Sequence, residues 1–129
     1  MNIGKAANLS NLTIKTVRYY ANIGLIKPIQ NSLTGYREYN EEEVSKLKFI
    51  GKARKFDFSI NECKELLSLY EDKNRTSKEV KKITLEKISQ IENKLRDLND
   101  LKKELSFLTN NCHGNDKPNC PILDELSKN

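Results

Sequence analysis

Apolar residues at the start of the chain fall at helical spacing in two short runs. Behind Asn2, a residue suited to an N-cap, Ile3, Ala6 and Ala7 stand at i, i+3 and i+4. After a polar turn, Asn8-Leu9-Ser10-Asn11, Thr13 opens a second run. There Ile14, Val17 and Ala21 are expected to face inward, while Lys15, Thr16, Arg18 and Tyr19 look outward. Gly24 ends this run because it accepts a left-handed backbone. Two short helices and a tight turn predict a helix-turn-helix. The outward face of its second helix carries donors at the N-terminal end, the end that reaches base edges when such a helix enters the major groove. An ordinary surface helix of a small bundle has the same periodicity.

The next segment changes period. Asn31-Ser32-Leu33-Thr34-Gly35 is a turn, and Tyr36-Arg37-Glu38-Tyr39 after it interleaves aromatic and charged residues, which predicts a hairpin wing with Arg37 suited to a backbone or minor-groove contact. Asn40 then caps a third helix with Glu41, Glu42 and Glu43 in its first turn, favourable for the helix dipole, and Val44, Leu47 and Ile50 as its buried stripe. Ser59-Ile60-Asn61-Glu62 is a capping box that opens a fourth helix with Cys63, Leu66, Leu67 and Tyr70 on one face.

Charge sharpens this picture. The chain has 129 residues and a net charge of +5, yet residues 1–58 hold 10 Lys and Arg against 5 Asp and Glu, while residues 59–129 hold 13 of each. The whole excess lies in the predicted head, where tyrosines accompany it, a combination that favours nucleic acid over a membrane surface. No run approaches the roughly 18 apolar residues a membrane helix needs, and the start lacks a signal peptide's apolar stretch, so a cytoplasmic, soluble protein is expected.

Asn2-Ile3-Gly4, Thr16-Val17-Arg18-Tyr19-Tyr20, Gly24-Leu25-Ile26, Gly35-Tyr36-Arg37 and Phe56-Asp57-Phe58-Ser59 together resemble the winged-helix head of the MerR family of bacterial transcription regulators. The resemblance implies DNA contacts from Arg18, Tyr19 and Tyr20 on the second helix, Tyr36 and Arg37 in the wing, and Arg54 on the third helix. Lys15 joins them from its outward position.

Beyond Thr76 neither Gly nor Pro occurs until Gly114, which predicts a single helix from about Ser77 to Thr109 with Thr76-Ser77-Lys78-Glu79 as its capping box. Its apolar stripe is Val80, Ile83, Ile88, Ile91, Leu95, Leu98, Leu101, Leu105 and Leu108, with spacings of 3, 4, 3, 3, 4 and 3 from Ile88 onward. That is close to a coiled-coil seam, on a rod about 50 Å long. A head this small cannot cover it, so the stripe calls for a second copy, and a two-fold homodimer is the commonest arrangement. The alternative is a helix folded back on its own head. Family resemblance implies the antiparallel dimer.

The last chemistry-bearing segment runs Cys112-His113-Gly114-Asn115-Asp116-Lys117-Pro118-Asn119-Cys120-Pro121-Ile122-Leu123. A Gly- and Pro-containing turn can bring the two cysteines together, and thiolates select soft ions such as Cu(I). Pro121 suits the first position of a short helix through Leu126, which puts Cys120 at its N-cap, where free N–H groups lower a thiol's pKa. Tetrahedral zinc wants four ligands, and only His113 and Asp116 stand nearby to add to two Cys. A redox pair and plain small residues at helix ends remain the other readings. Cys63, on the apolar face of the fourth helix, is expected to be a packed, inert thiol.

Joined to this head and rod, the cysteine loop resembles that of the copper-efflux regulator (CueR/HmrR-like) branch, which implies Cu(I), or Ag(I) or Au(I), held by Cys112 and Cys120 as a linear bis-thiolate. Relatives that sense divalent ions place a ligand cysteine at the start of the long helix, where this chain has Ser77 beside the metal site. The expected architecture is therefore mainly α: a winged helix-turn-helix DNA-binding domain over 1–70, a lead-in and dimerisation helix over 71–110, and a metal-binding loop with a short helix over 111–129. The expected partners are promoter DNA, RNA polymerase and a second copy of the chain, with no membrane. A thiol-redox or gold-selective regulator and a Cu(I) buffer protein are the competing functions. With one His, no Gly-rich phosphate loop and no nucleophile paired to a base, an enzyme is not expected.

Overall fold

Four side-chain caps define the head. In the computed structural model, which describes residues 1–129, Asn2 accepts from the Lys5 N–H at 2.9 Å to open α1 (Ile3–Ser10), and Thr13 accepts from Thr16 N–H at 3.1 Å to open α2 (Ile14–Asn22). Asn40 accepts from Glu43 N–H at 2.9 Å at the start of α3 (Glu41–Lys55). Ser59 and Glu62 bond reciprocally, at 3.1 and 2.8 Å, to open α4 (Ile60–Glu71). Each cap satisfies an N–H that the helix itself leaves free.

Between α2 and α3 lies the wing. Strands β1 (Ile29–Gln30) and β2 (Arg37–Glu38) pair antiparallel, with Ile29 opposite Glu38 and Gln30 opposite Arg37. Asn31 shapes the turn between them. Its Oδ1 accepts from the N–H groups of Leu33 and Thr34, and its Nδ2 donates to Glu38. Gly35 closes the turn at φ +75°, a left-handed conformation that a side chain would strain. Just beyond β2, Tyr39 exchanges two backbone hydrogen bonds with Met1, which ties the base of the wing to the segment that leads into α1.

α1 packs on α2 and α3, and α3 packs on α4. Ala6 and Ala7 are the buried residues of α1 beside Ser10, and side chains this small let neighbouring helices approach closely. Val17, Tyr20, Leu25, Ile26, Tyr39, Val44, Leu47, Ile50, Ala53, Phe58, Cys63 and Leu67 complete the head core. Glu43 is buried as well, and its carboxylate is not idle: Oε2 accepts from Lys27 N–H at 3.1 Å, so the acid expected merely to complement a dipole also anchors the chain entering the wing. On the surface, Lys46 bridges Glu42 at 3.7 Å and Glu71 at 3.2 Å, linking α3 to α4. Partial burial alone would lower the Lys46 pKa, but the Glu71 hydrogen bond and charge outweigh it and raise it.

Two details depart from the periodicity. Ile14 is 44% exposed, and Tyr20, three residues from Val17, takes the inward place on α2 instead. Ile14 is the first residue of its helix, outside the turn that meets the core. Tyr70 is 62% exposed rather than buried on α4, where it stacks on Phe49 with ring centroids 5.2 Å apart.

The chain divides into two units, Met1–Lys82 and Ile83–Asn129, and α5 (Ser77–Asn110) is a continuous helix that begins in the first and ends in the second. At its start Glu79 N–H donates to Thr76 Oγ1 at 3.4 Å, which is one half of the expected capping box. In the second unit the apolar stripe of α5 lies open: Ile88, Leu95, Leu98, Leu101 and Leu105 are each 46–61% exposed. A loop then leads to α6 (Pro121–Leu126), which has Cys120 at its N-cap and Pro121 at its first position. No helix is long and apolar enough to cross a membrane.

Candidate nucleic-acid interface and thiol site

On α2, Lys15, Arg18 and Tyr19 are exposed, as the outward face requires. Arg37 is half-buried on β2 and Tyr36 beside it is 77% exposed. Arg18, Asn22, Tyr36 and Arg37 border one open cleft of about 340 Å³, so recognition helix and wing present cations to a common space. Two arginines there suit phosphate oxygens, because a guanidinium offers several donors in a planar fork.

Tyr20 differs from the expectation. Only 6% exposed, it has no free ring face to offer DNA and serves as core. Burial raises its pKa, and the nearby Arg54 guanidinium, which also hydrogen-bonds it, pulls the other way. Arg54 itself is exposed and donates from Nη1 to the Phe58 carbonyl at 2.8 Å, so a backbone oxygen steadies an outward cation. Asn22, at the end of α2, belongs to none of the motifs that mark the head in the sequence. Its one available signal was its position four residues after Arg18, on the same helical face.

In the second unit Cys112 lies two residues beyond the end of the long helix and Cys120 caps the short one, and both thiols are free and half-buried. Leu123 N–H is the principal group holding the Cys120 thiol below its ordinary pKa. Slight desolvation works against it, Ile122 N–H and the Cys112 thiol add to it, and the Asp124 carboxylate opposes it weakly. The Cys112 thiol is thus close enough to influence Cys120, from the other side of the turn that contains Gly114 and Pro118. His113 and Asp116 are exposed, and no cluster of three or more His, Cys, Asp or Glu side chains assembles that could hold a metal. The donor set is two soft sulfurs beside backbone N–H groups, which fits an ion content with two thiolates and a centre that carries net negative charge. Ser77 is exposed at the first position of α5, in the other unit, and Cys63 is fully buried on α4 with its thiol directed at the Phe58 carbonyl.

A consequence follows for thiol chemistry. Because the thiolate is the nucleophile, Cys120 should react with iodoacetamide at a lower pH than an unperturbed thiol, while buried Cys63 stays unmodified until the head unfolds. Mass spectrometry of the alkylated peptides across a pH series checks both. Labelling of Cys63 before Cys120 would contradict the thiol geometry.

Comparison with known proteins agrees with this architecture. Residues 1–70 match the family described as MerR HTH family regulatory protein, and residues 44–108 match the one described as MerR, DNA binding. The chain is 49% identical to the HTH-type transcriptional regulator HmrR of Rhizobium leguminosarum bv. viciae, over 98% of both chains. It is 39% identical to the HTH-type transcriptional regulator CueR of Salmonella typhimurium, covering 98% of this chain and 92% of that one. Among solved structures it is similar to the transcription regulator PbrR691 from Ralstonia metallidurans CH34 in complex with lead(II), with a TM-score of 0.83, 29% identity and coverage of 98% and 99%. With a winged helix-turn-helix head, a long helix and full-length relatives of this kind, the chain belongs to the MerR family of DNA-binding transcription regulators and is not an enzyme.

Proposed function

We propose that this chain is a metal-responsive regulator whose inducer is Cu(I), with Ag(I) or Au(I) as chemical equivalents, and that Cys112 and Cys120 hold the ion. The observation that carries this reading is the pair of neighbouring thiols with backbone N–H groups at Cys120. Two thiolates on a monovalent ion leave a net charge of −1, which those N–H dipoles stabilise; a divalent ion would seek further ligands. Residues 111–129 form the sensing loop, 71–110 the lead-in and dimerisation helix, and 1–70 the DNA-binding domain.

The protein acts as a homodimer. Its exposed seam from Ile88 to Leu105 is covered by the same seam of a second, antiparallel chain, so that two heads address one pseudo-palindromic promoter. In an antiparallel pair the start of one long helix faces the end of the other. Ser77 then stands near the opposite protomer's loop, where a hydroxyl in place of a thiol leaves the ion with two sulfurs. Lys15, Arg18, Tyr19, Tyr36, Arg37 and Arg54 contact DNA. Metal binding favours one dimer geometry, the bound promoter is distorted accordingly, and RNA polymerase engages it to transcribe copper-efflux and homeostasis genes. Work in the cytoplasm, where promoter and polymerase are found, follows from this role.

Anaerobic titration with Cu(I) and Zn(II), reading stoichiometry and promoter transcription together, tests the assignment. One Cu(I) per protomer with activation is expected, and equal activation by Zn(II) would defeat it. The adjacency of the thiols also suits a Cys112–Cys120 disulfide; activation by oxidant alone, with no metal response under reducing conditions, would favour that second reading. The division of labour has its own test. Arg18→Ala should weaken promoter binding by about 1–3 kcal/mol and lower the salt slope by about 1, with Cu(I) uptake unchanged. Fluorescence anisotropy at several salt concentrations measures the first two quantities.

A further inference from the structure

One polar contact joins recognition helix and wing directly. Arg37 on β2 donates from Nη2 to Oδ1 of Asn22, the last residue of α2, at 2.7 Å. Asn22 lies one helical turn beyond Arg18, and all three residues border the same cleft. The acceptor is neutral. An amide oxygen fixes the orientation of a guanidinium and leaves its charge intact, whereas a carboxylate there would orient it and cancel the charge. Arg37 has five N–H donors, and its bond to Asn22 uses one of them.

We propose that Asn22 is a positioning residue for DNA binding. It holds the Arg37 fork so that the remaining donors meet a backbone phosphate entering the cleft, and it locks the wing to α2 so that both engage one stretch of backbone as a unit. The inference rests on the reading that Arg37 contacts DNA. Its physical basis is pre-organisation. A long side chain already restrained in the free protein loses less rotamer freedom on binding, and the wing does not have to find its register after the helix has docked.

The test uses the full-length protein and the tightest duplex recovered by in vitro selection with the unmodified chain. Asn22→Ala should weaken binding about three- to tenfold, the range expected for one long side chain that must now be ordered on association. In an Arg37→Ala background the same substitution should have no further effect, since the two residues act through one contact. Asn22→Asp retains the acceptor but places a carboxylate beside the phosphate, so it should weaken binding and also flatten the salt dependence. An Asn22→Ala loss that is equal in both backgrounds would make the role merely structural and overturn the proposal, as would no loss at all while Arg37→Ala binds weakly. Full affinity in Arg37→Ala would remove the Arg37 contact itself, and the positioning role with it.

Discussion

Serine in place of either Cys112 or Cys120 is expected to abolish the transcriptional response to Cu(I) and to lower affinity for the ion by at least about a thousandfold, on the order of 4 kcal/mol. The expectation follows from the donor set. The loop offers two thiols as its soft donors, so removal of one leaves a single sulfur for a soft ion, and a serine hydroxyl does not ionise to replace it. Cys63→Ser is the internal control. That thiol is fully buried on α4, on the other unit of the chain, and its substitution should alter thermal stability but not metal stoichiometry. Competition titration against a Cu(I) chelator, with promoter transcription read in parallel, resolves all three variants. Retention of near-normal affinity by either loop variant would mean that the ion is held elsewhere.

The second large effect concerns the seam. Leu98 and Leu101 are 61% and 54% exposed, and together with Leu105 they border a shallow groove of about 500 Å³ on the surface of α5. If that stripe is the dimer interface, Leu98→Glu buries a carboxylate in each of two copies against apolar side chains, at several kcal/mol per dimer. At micromolar concentration the variant should sediment as a monomer. Its affinity for a two-half-site promoter should fall by about a hundredfold or more, because the second head no longer gains from the first. The head has its own core, built on Val17, Ile26, Tyr39, Leu47 and Ile50, so helicity and cooperative melting of the first unit should survive. A dimeric Leu98→Glu protein with intact promoter affinity would refute the pairing.

Much of this protein was legible before its structure. Caps at Asn2, Thr13, Asn40 and Ser59 followed from residue type and position alone, because each answers a local demand of the helix backbone that follows it. The long helix was marked by an absence of Gly and Pro and by a regular apolar stripe, and its bounds differ from the expected ones by a single residue. Pro121 announced the short helix in the same way.

The contacts that sequence pattern did not reveal are of another kind. Periodicity states which residues share a face, but not that amphipathic Tyr20 turns its ring inward while Ile14, at the end of its helix, is left outside. The Asn22–Arg37 bond and the Lys27–Glu43 bond join residues 15 and 16 positions apart, and nothing local in either segment specifies the partner. Pairing of Met1 with Tyr39, across 38 positions, is likewise a product of how the wing is set against α1. At the cysteine loop the spacing suggested proximity, and the N-cap position gave Cys120 its lowered pKa, but the direction of each N–H required the folded turn.

X-ray absorption at the copper edge, on full-length protein loaded anaerobically with Cu(I), reads the ligand set of the bound ion itself. One copper per protomer is expected, with two sulfur neighbours and no nitrogen or oxygen in the first coordination sphere. A third or fourth ligand, whether from His113 or from another thiol, would contradict it.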